Sequence, residues 1–358
     1  MLRNKRTAWT AALVVLLAVA AGVAFVGLRD GGDLEPGFVA QGSSGRPPTH
    51  EADVQLPIGT LRLSSGEPLA EIAARRVGRS GAESLEAAGD ASIVPVAWTF
   101  RPTLSYDDLL GYPATFTLAV TAGGERVALG EPDVDLHQAA DSGDLPGQDL
   151  IAVVAGDGDD LRVEVTYEGE KQVVTMRSGK VATGRAAALY PDGPRTYGTD
   201  PDCDARGAGE PAEIANVDAG AGSISCRIDP LTRTPYLPDL GWAREGHVWT
   251  TLTVRVTAPP TISWIPTGTS YQVRREPVTA ALSGAEVARA PRGDQDDRST
   301  WVRTWVFDSP ADAPADPATD AATGLTVSAP MSAVRPQDAT DGPATVPFGV
   351  DQTFTLRH

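Results

Sequence analysis

Leu161-Arg162-Val163-Glu164-Val165-Thr166-Tyr167-Glu168-Gly169-Glu170-Lys171-Gln172-Val173-Val174-Thr175-Met176 sets the reading of the whole chain. Leu161, Val163, Val165 and Tyr167 alternate with Arg162, Glu164 and Thr166. A pleated strand sends successive side chains to opposite faces, so this alternation predicts a strand with one buried and one wet face. Gly169 then precedes a second apolar run, Val173 to Met176.

The same period recurs on both sides of this stretch. Val94, Val96, Trp98 and Phe100 alternate, as do Phe116, Leu118 and Val120, and Ala122-Gly123-Gly124-Glu125 turns the chain back toward Val127 and Leu129 as a hairpin. Leu150 to Val154 runs into the turn Gly156-Asp157-Gly158-Asp159. Further on, Ser223 to Ile228, Val248 to Val256, Ile262 to Ile265, Tyr271 to Arg275, Trp301 to Phe307, Leu325 to Ser328 and Thr353 to Leu356 each read as a strand. Helix-forming composition is confined to Glu67–Val77 and Ala82–Ala88, and Ile72–Val77 reads equally well as an edge strand. Gly (37) and Pro (29) make up roughly 18% of the chain, an excess that suits loop-rich β structure.

The N-terminus carries a different signal. Arg3, Lys5 and Arg6 precede Thr7 to Leu28, 22 residues without an ionisable side chain, which as a helix would span ~33 Å and cross a bilayer. Basic residues on the N-terminal side keep that end in the cytoplasm and export the rest. Residues 1–28 are therefore read as a signal anchor, a single transmembrane helix in a cell membrane, with a cleaved signal peptide as the alternative. Arg29 to Glu51, rich in Gly, Ser and Pro, reads as a flexible stalk covering 29–52. Pro191-Asp192-Gly193-Pro194 is the strongest internal punctuation and places a boundary there. The expected architecture is all-β: an N-terminal transmembrane helix followed by two tandem β-sandwich (Ig-like) domains, residues 53–192 and 193–358. The second would carry a disulfide and an acidic loop at 310–323.

Formal charge is −17 for the whole chain and −20 beyond the first three cations, which excludes the basic face that nucleic acid requires. Lys occurs only at positions 5, 171 and 180, the remaining positive charge being Arg, and Ala is abundant. This is the signature of GC-rich codons and points to a bacterium.

Cys203 and Cys226 are the two cysteines of an exported chain, separated by 22 residues, and are expected to pair. Closing that loop would contribute about 3 kcal/mol by restricting the unfolded chain. Asp200, Asp202 and Asp204 repeat at alternate positions and are the candidates for a metal. Ala205 and Pro211, however, stand where an EF-hand loop needs Gly and Glu. Asp133, Asp135 and His137 form a second acidic trio without a further His or Cys nearby. No metal and no other cofactor is therefore expected.

Signatures of serine hydrolases, zincins and P-loop enzymes are absent from the sequence. Trp242, Trp249, Trp264, Trp301 and Trp305 all fall in the second unit. Trp301 and Trp305 share a sheet face with Arg303 and Phe307, a face that is either core or, with Trp242, His247 and Trp249, a binding surface. The functional expectation is a non-catalytic, membrane-anchored extracytoplasmic binding protein of a bacterial cell envelope, whose partner is a protein or a cell-wall glycan. The alternatives are a cell-wall hydrolase with a carboxylate pair and a structural subunit of a membrane complex.

Overall fold

The computed structural model describes residues 33–80, 83–103, 111–136, 139, 146–190, 195–197, 202–203, 217–218, 225–265, 267–291, 295–296, 300–311 and 323–356. The expected transmembrane helix over 7–28 and most of the acidic loop 310–323 lie outside these residues. No helix among the described residues is long and apolar enough to cross a membrane. The chain divides into two compact units, Met1–Thr183 and Gly184–His358. The second unit opens with the 3-10 turn Gly184–Leu189, in which Ala186 and Leu189 are buried, whereas the sequence reading set the boundary at 192/193.

The first unit runs through β1 (Val39–Gln41), β2 (His50–Leu56), β3 (Gly59–Ser65), β4 (Glu71–Ala73), β5 (Ser84–Glu86) and β6 (Ser92–Pro102). It continues through β7 (Thr117–Ala122), β8 (Glu125–Gly130), β9 (Gly147–Val154), β10 (Arg162–Tyr167), β11 (Glu170–Thr175) and β12 (Lys180–Ala182). Two five-stranded antiparallel sheets result, in the orders β1-β9-β6-β3-β2 and β12-β11-β10-β7-β8. Alternation decides which residues meet between them. Val163, Val165 and Tyr167 are buried while Arg162 is exposed, and Val94, Val96, Trp98 and Phe100 line the inner face of β6. Trp98 meets Phe116 edge to face at 5.6 Å between ring centroids. Buried Gln172 of β11 donates from Nε2 to the Gln55 carbonyl of β2 at 2.8 Å, a cross-sheet bond.

Both tight turns of the second sheet use left-handed backbone. Gly123 and Gly124 (φ 57° and 79°) join β7 to β8, and Glu168 and Gly169 (φ 46° and 75°) join β10 to β11. Positive φ at both central positions matches the turn twist to the strand twist.

Leu150 to Val154 is apolar at every position, and the structure shows why. Leu150, Ala152 and Val154 share a face with Val94 and Val96, whereas Ile151 and Val153 pack on the opposite face with Ile93. That outer face is covered by β4, the 3-10 turn Ala74–Val77 and β5, through Ile72, Ala74, Val77 and Leu85. The helix-forming stretches at 67–77 and 82–88 thus become two short strands and one turn of 3-10 helix. Leu34 and Phe38 join the same cluster, and Val39–Gln41 pairs with β9. Residues 33–52 are therefore integral to the sheet and its covering, a correction to the expected stalk. Two-sided burial of β9 needs apolar partners, and this Gly- and Pro-rich segment supplies three of them.

The second unit contains β13 (Arg195–Tyr197), β14 (Asp202–Cys203), β15 (Val217–Asp218), β16 (Ser225–Ile228), β17 (Leu231–Thr234), β18 (Tyr236–Leu237), β19 (Gly241–Trp242) and β20 (His247–Thr257). Then follow β21 (Thr261–Trp264), β22 (Thr269–Arg275), β23 (Thr279–Leu282), β24 (Glu286–Arg289), β25 (Gln295–Asp296), β26 (Thr300–Pro310), β27 (Thr323–Val334) and β28 (Thr345–Leu356). Each of its two large sheets is built on one long antiparallel pair. β20 pairs with β26 over its whole length and shares its other edge between β17 and β16. β27 pairs with β28 over its whole length and shares its other edge between β23 and β22. A single core joins them: Leu252, Val254, Val256, Trp301, Trp305 and Phe307 from one sheet and Leu325, Val327, Met331, Val350 and Phe354 from the other. The guanidinium of Arg275 on β22 stacks over Trp301 at 4.1 Å from the ring centroid, a cation–π contact across the two sheets.

Glu164 on β10 is mostly buried and bonded to Arg126 at 2.9 Å and Lys171 at 3.5 Å. Burial pushes its pKa up, but the hydrogen bond from Arg126 and the charges of Lys171 and Arg126 outweigh it and hold the carboxyl below the ordinary glutamate value. A carboxylate favoured in the folded state stabilises above its unfolded pKa, and that stability is lost as the pH falls through the folded value. Glu164→Gln should lower stability by about 0.5–1 kcal/mol at pH 7. The difference from wild type in urea titrations should vanish as the pH falls below 4.5. Leu34→Ala should cost about 2–5 kcal/mol in the same assay, because Leu34 is 1% exposed, whereas a residue in a loose stalk would be neutral.

Candidate functional site

Register across β20 and β26 sorts the residues expected at a binding surface onto two faces. Val248, Thr250, Leu252, Val254 and Val256 face Ser309, Phe307, Trp305, Arg303 and Trp301 on the inner side. Trp301 and Trp305 are each 3% exposed and belong to the core, so the expected surface loses both. Their load of apolar area, some 150–250 Å² per large aromatic, is what the sandwich interior buries. The side chain of Trp264 lies outside the described residues.

On the outer side His247, Trp249 and Thr251 stand opposite Pro310, Asp308 and Val306. The hairpin β18–β19 covers part of this side. The Trp249 indole nitrogen donates to the Gly241 carbonyl at 2.8 Å, and Tyr236 meets Trp242 edge to face at 5.2 Å. Trp242, a residue of the hairpin itself, is buried against its cross-strand partner Tyr236, a third loss from the expected surface. Arg289 of β24 pairs with Asp239 at the hairpin's tip. Trp249 and His247 are left partly exposed at the hairpin's margin.

His247 and Asp308 form the polar centre of this margin. Nδ1 of His247 lies 2.7 Å from Oδ1 of Asp308, and Arg244 donates from Nε to Oδ2 at 3.0 Å, with both His247 and Asp308 mostly buried. Arg233 donates to the Pro310 carbonyl and, at 3.3 Å, to that of Ala311, while the Ala311 amide donates to Gly246. The end of β26 is thus held by two arginines and a histidine. With Asp308 accepting from Nδ1–H, the neutral ring presents Nε2 as a hydrogen-bond acceptor, and the protonated ring presents it as a donor. Ser309 does not complete a relay with this pair, because its hydroxyl is buried on the inner face and donates to Thr250 Oγ1 at 2.8 Å. The arrangement orients one imidazole beside one indole, which suits recognition of a polar ligand carrying a flat apolar face.

Sequence reasoning singled out His247, Trp242 and Trp249 but missed Asp308 and Arg244. Asp308 is 61 residues from His247 in the chain, and only the β20–β26 register brings them together.

Elsewhere, His50, Glu67, Asp159 and Arg177 ring a small recess of about 20 Å³ on the first unit, with Ser65 and Met176 also in its lining. Arg177 pairs with Asp159 at 2.7 Å, and Asp160 accepts from the Gly123 amide at 3.0 Å, so the turn Gly156–Asp160 is tied into the hairpin it adjoins. At that size the recess has room for about one water molecule and falls far short of ligand pockets, which run ~300–1,000 Å³. Of the acidic trio at 200–204, Asp202 has its backbone in β14 opposite Arg227, while Asp200 and Asp204 lie outside the described residues. Asp133 and Asp135 are exposed and His137 lies outside the description. No cluster of three or more metal-ligating side chains occurs among the described residues.

The cysteines fall in register. Cys203 of β14 stands directly opposite Cys226 of β16, and no free cysteine occurs among the described residues. Directly opposed residues have Cα atoms ~4.5–5.5 Å apart, within the range a disulfide spans.

No protein-family model matches this chain, and no characterised protein matches it in sequence. The site is therefore defined by its own geometry alone. Asp308→Ala should destabilise the second unit by about 1–3 kcal/mol, since it strands the half-buried His247 and frees Arg244. Arg244→Ala should cost under ~1 kcal/mol because that side chain is 62% exposed. A double-mutant cycle between His247 and Asp308, read by chemical denaturation, should return a coupling of about 0.5–3 kcal/mol.

Proposed function

We propose that this chain is an extracytoplasmic binding module of a bacterial cell envelope, tethered in the membrane by residues 7–28 and stapled in its second unit by a Cys203–Cys226 disulfide. It engages a protein or a cell-wall glycan through the rim formed by His247 and Trp249. The observation that carries the binding reading is the separation of the tryptophans by the β20–β26 register. Trp301 and Trp305 are committed to the interior, whereas Trp249 is held partly exposed with its N–H already bonded, beside an oriented imidazole. A fixed indole face loses little entropy on contact, and aromatic rings with a few directed polar groups are the usual composition of protein and sugar contacts.

Export is supported by the cationic start and the uncharged run that follows it, and by two cysteines placed in register for oxidation. Two all-β units suit such a role, since a β-sandwich needs no metal or cofactor to present its edges and loops.

Cross-linking in intact membranes of the source cell tests the reading. The full chain should capture a partner that is lost with Trp249→Ala and His247→Ala and retained by a secreted form lacking residues 1–28. Loss of every partner with the leader, and none with the rim substitutions, would place the contact in the membrane segment instead. Thiol alkylation of the exported protein before reduction should label neither cysteine.

A further inference from the structure

Backbone polarity singles out one edge of the second unit. β28 pairs with β27 along its whole length, and among the described residues no other strand pairs with it. Within a strand, the N–H and C=O of one residue point to the same side and those of the next residue to the other. The Glu276 amide donates to Pro330 and the Ser283 amide to Gly324, so the even-numbered residues of β27 turn toward β22 and β23. Their partners across the ladder are the odd-numbered residues of β28, whose backbone groups therefore point away from β27. These are Thr345, Pro347, Gly349, Asp351, Thr353 and Thr355. Pro347 has no N–H to offer, and each of the four residues after it has both a donor and an acceptor.

We propose that this edge is a self-association surface, at which two copies of the chain join β28 to β28, antiparallel, about a two-fold axis through Gln352. In that register Gly349 faces Thr355 of the second copy and Asp351 faces Thr353, giving about eight backbone hydrogen bonds. Pro347 falls beyond the end of the partner strand, so the residue that cannot donate fixes where the pairing starts. A two-fold axis nearer the N-terminal end of β28 would set Pro347 against a strand that needs its N–H.

Side chains favour the same register. On the inner face Val350 would meet Phe354 of the second copy, and Gln352 would meet its own equivalent. Val350 and Phe354 already belong to the core cluster, so the join would continue that core from one copy to the next. Charge opposes it only weakly at the edge itself, since β28 carries one ionisable side chain, Asp351, which in this register stands opposite a threonine with its own equivalent on the diagonal. By contrast, edge strand β8 carries Glu125 and Arg126, and the outlying β24 carries Glu286 and Arg289, the charged residues that ordinarily keep edges from pairing. An isologous contact of this kind closes on itself and stops at two copies.

Gln352→Cys in the full chain, purified in mild detergent, tests the register. Gln352 would face its own equivalent as a non-hydrogen-bonded pair with Cα atoms about 4.5 Å apart, close enough for a disulfide. On oxidation the variant should run at twice the monomer mass on non-reducing gels, while the wild-type chain, with the same two native cysteines, should not. In sedimentation the wild type should be dimeric. Thr353→Pro, which removes one outward N–H per copy and none that the β27 ladder uses, should halve the mass while leaving the far-ultraviolet strand signal unchanged. A monomeric wild type, or a Gln352→Cys chain that stays uncross-linked under oxidation, would overturn the proposal.

Discussion

The whole arrangement of the second unit depends on one constraint, the register of the long antiparallel pair β20–β26. Once Leu252 is opposite Trp305 and Val256 opposite Trp301, the pleat commits every other side chain of both strands to the interior and the intervening ones to the outside. A slip of one residue would bring Trp301, Trp305 and Phe307 into water and put Asp308 and Thr304 in the core. Burying each of those large side chains is worth roughly 1.5–3 kcal/mol, so the penalty against slipping is large compared with a typical domain stability of 5–15 kcal/mol. The same register carries His247 to the end of β26, where Asp308 and Arg244 receive it. The polar rim is thus a by-product of core packing, positioned with the rigidity of the sheet.

Both units cover an outer sheet face with a small piece of chain. In the first, β4, a 3-10 turn and β5 lie over Ile93, Ile151 and Val153. In the second, the hairpin β18–β19 lies along one side of Trp249, whose indole N–H it accepts at Gly241. The reason is the same in each. A central strand with apolar residues on both faces cannot leave either face to water, and a short covering segment satisfies it without a third sheet. Such coverings also create margins where a half-buried polar pair can form, and His247–Asp308 occupies one.

An acidic surface accompanies this scaffold without building it. Ion pairs such as Arg62–Asp53 join directly opposed residues of β2 and β3 and add modestly to a pairing that the alternation already specifies. Glu164 differs because it is sunk among β10, β8 and β11 residues and holds two cations at once, so its charge is coupled to folding rather than only to solubility.

Strand identity was legible from the residues alone, because alternation is a local property. The runs at 94–100, 116–120, 161–167 and 301–307 are strands or strand starts, and the inner face of β26 is the indole face. The turn at Gly123-Gly124 was equally legible, since only glycine occupies left-handed backbone without cost. The uncharged N-terminal run and the cysteine pair likewise belong to the sequence. What only the tertiary structure decided were the properties that need a distant partner. Leu34 and Phe38 sit in a stretch composed like a linker and are core because β9 has a second face to cover. Glu67–Val77 has the composition of a helix but gives a strand and a single 3-10 turn, since it is laid against a sheet. Asp308 becomes a site residue through a contact 61 positions away. Pairing between remote strands is a matter of register and packing, and neither is encoded in any one window of residues.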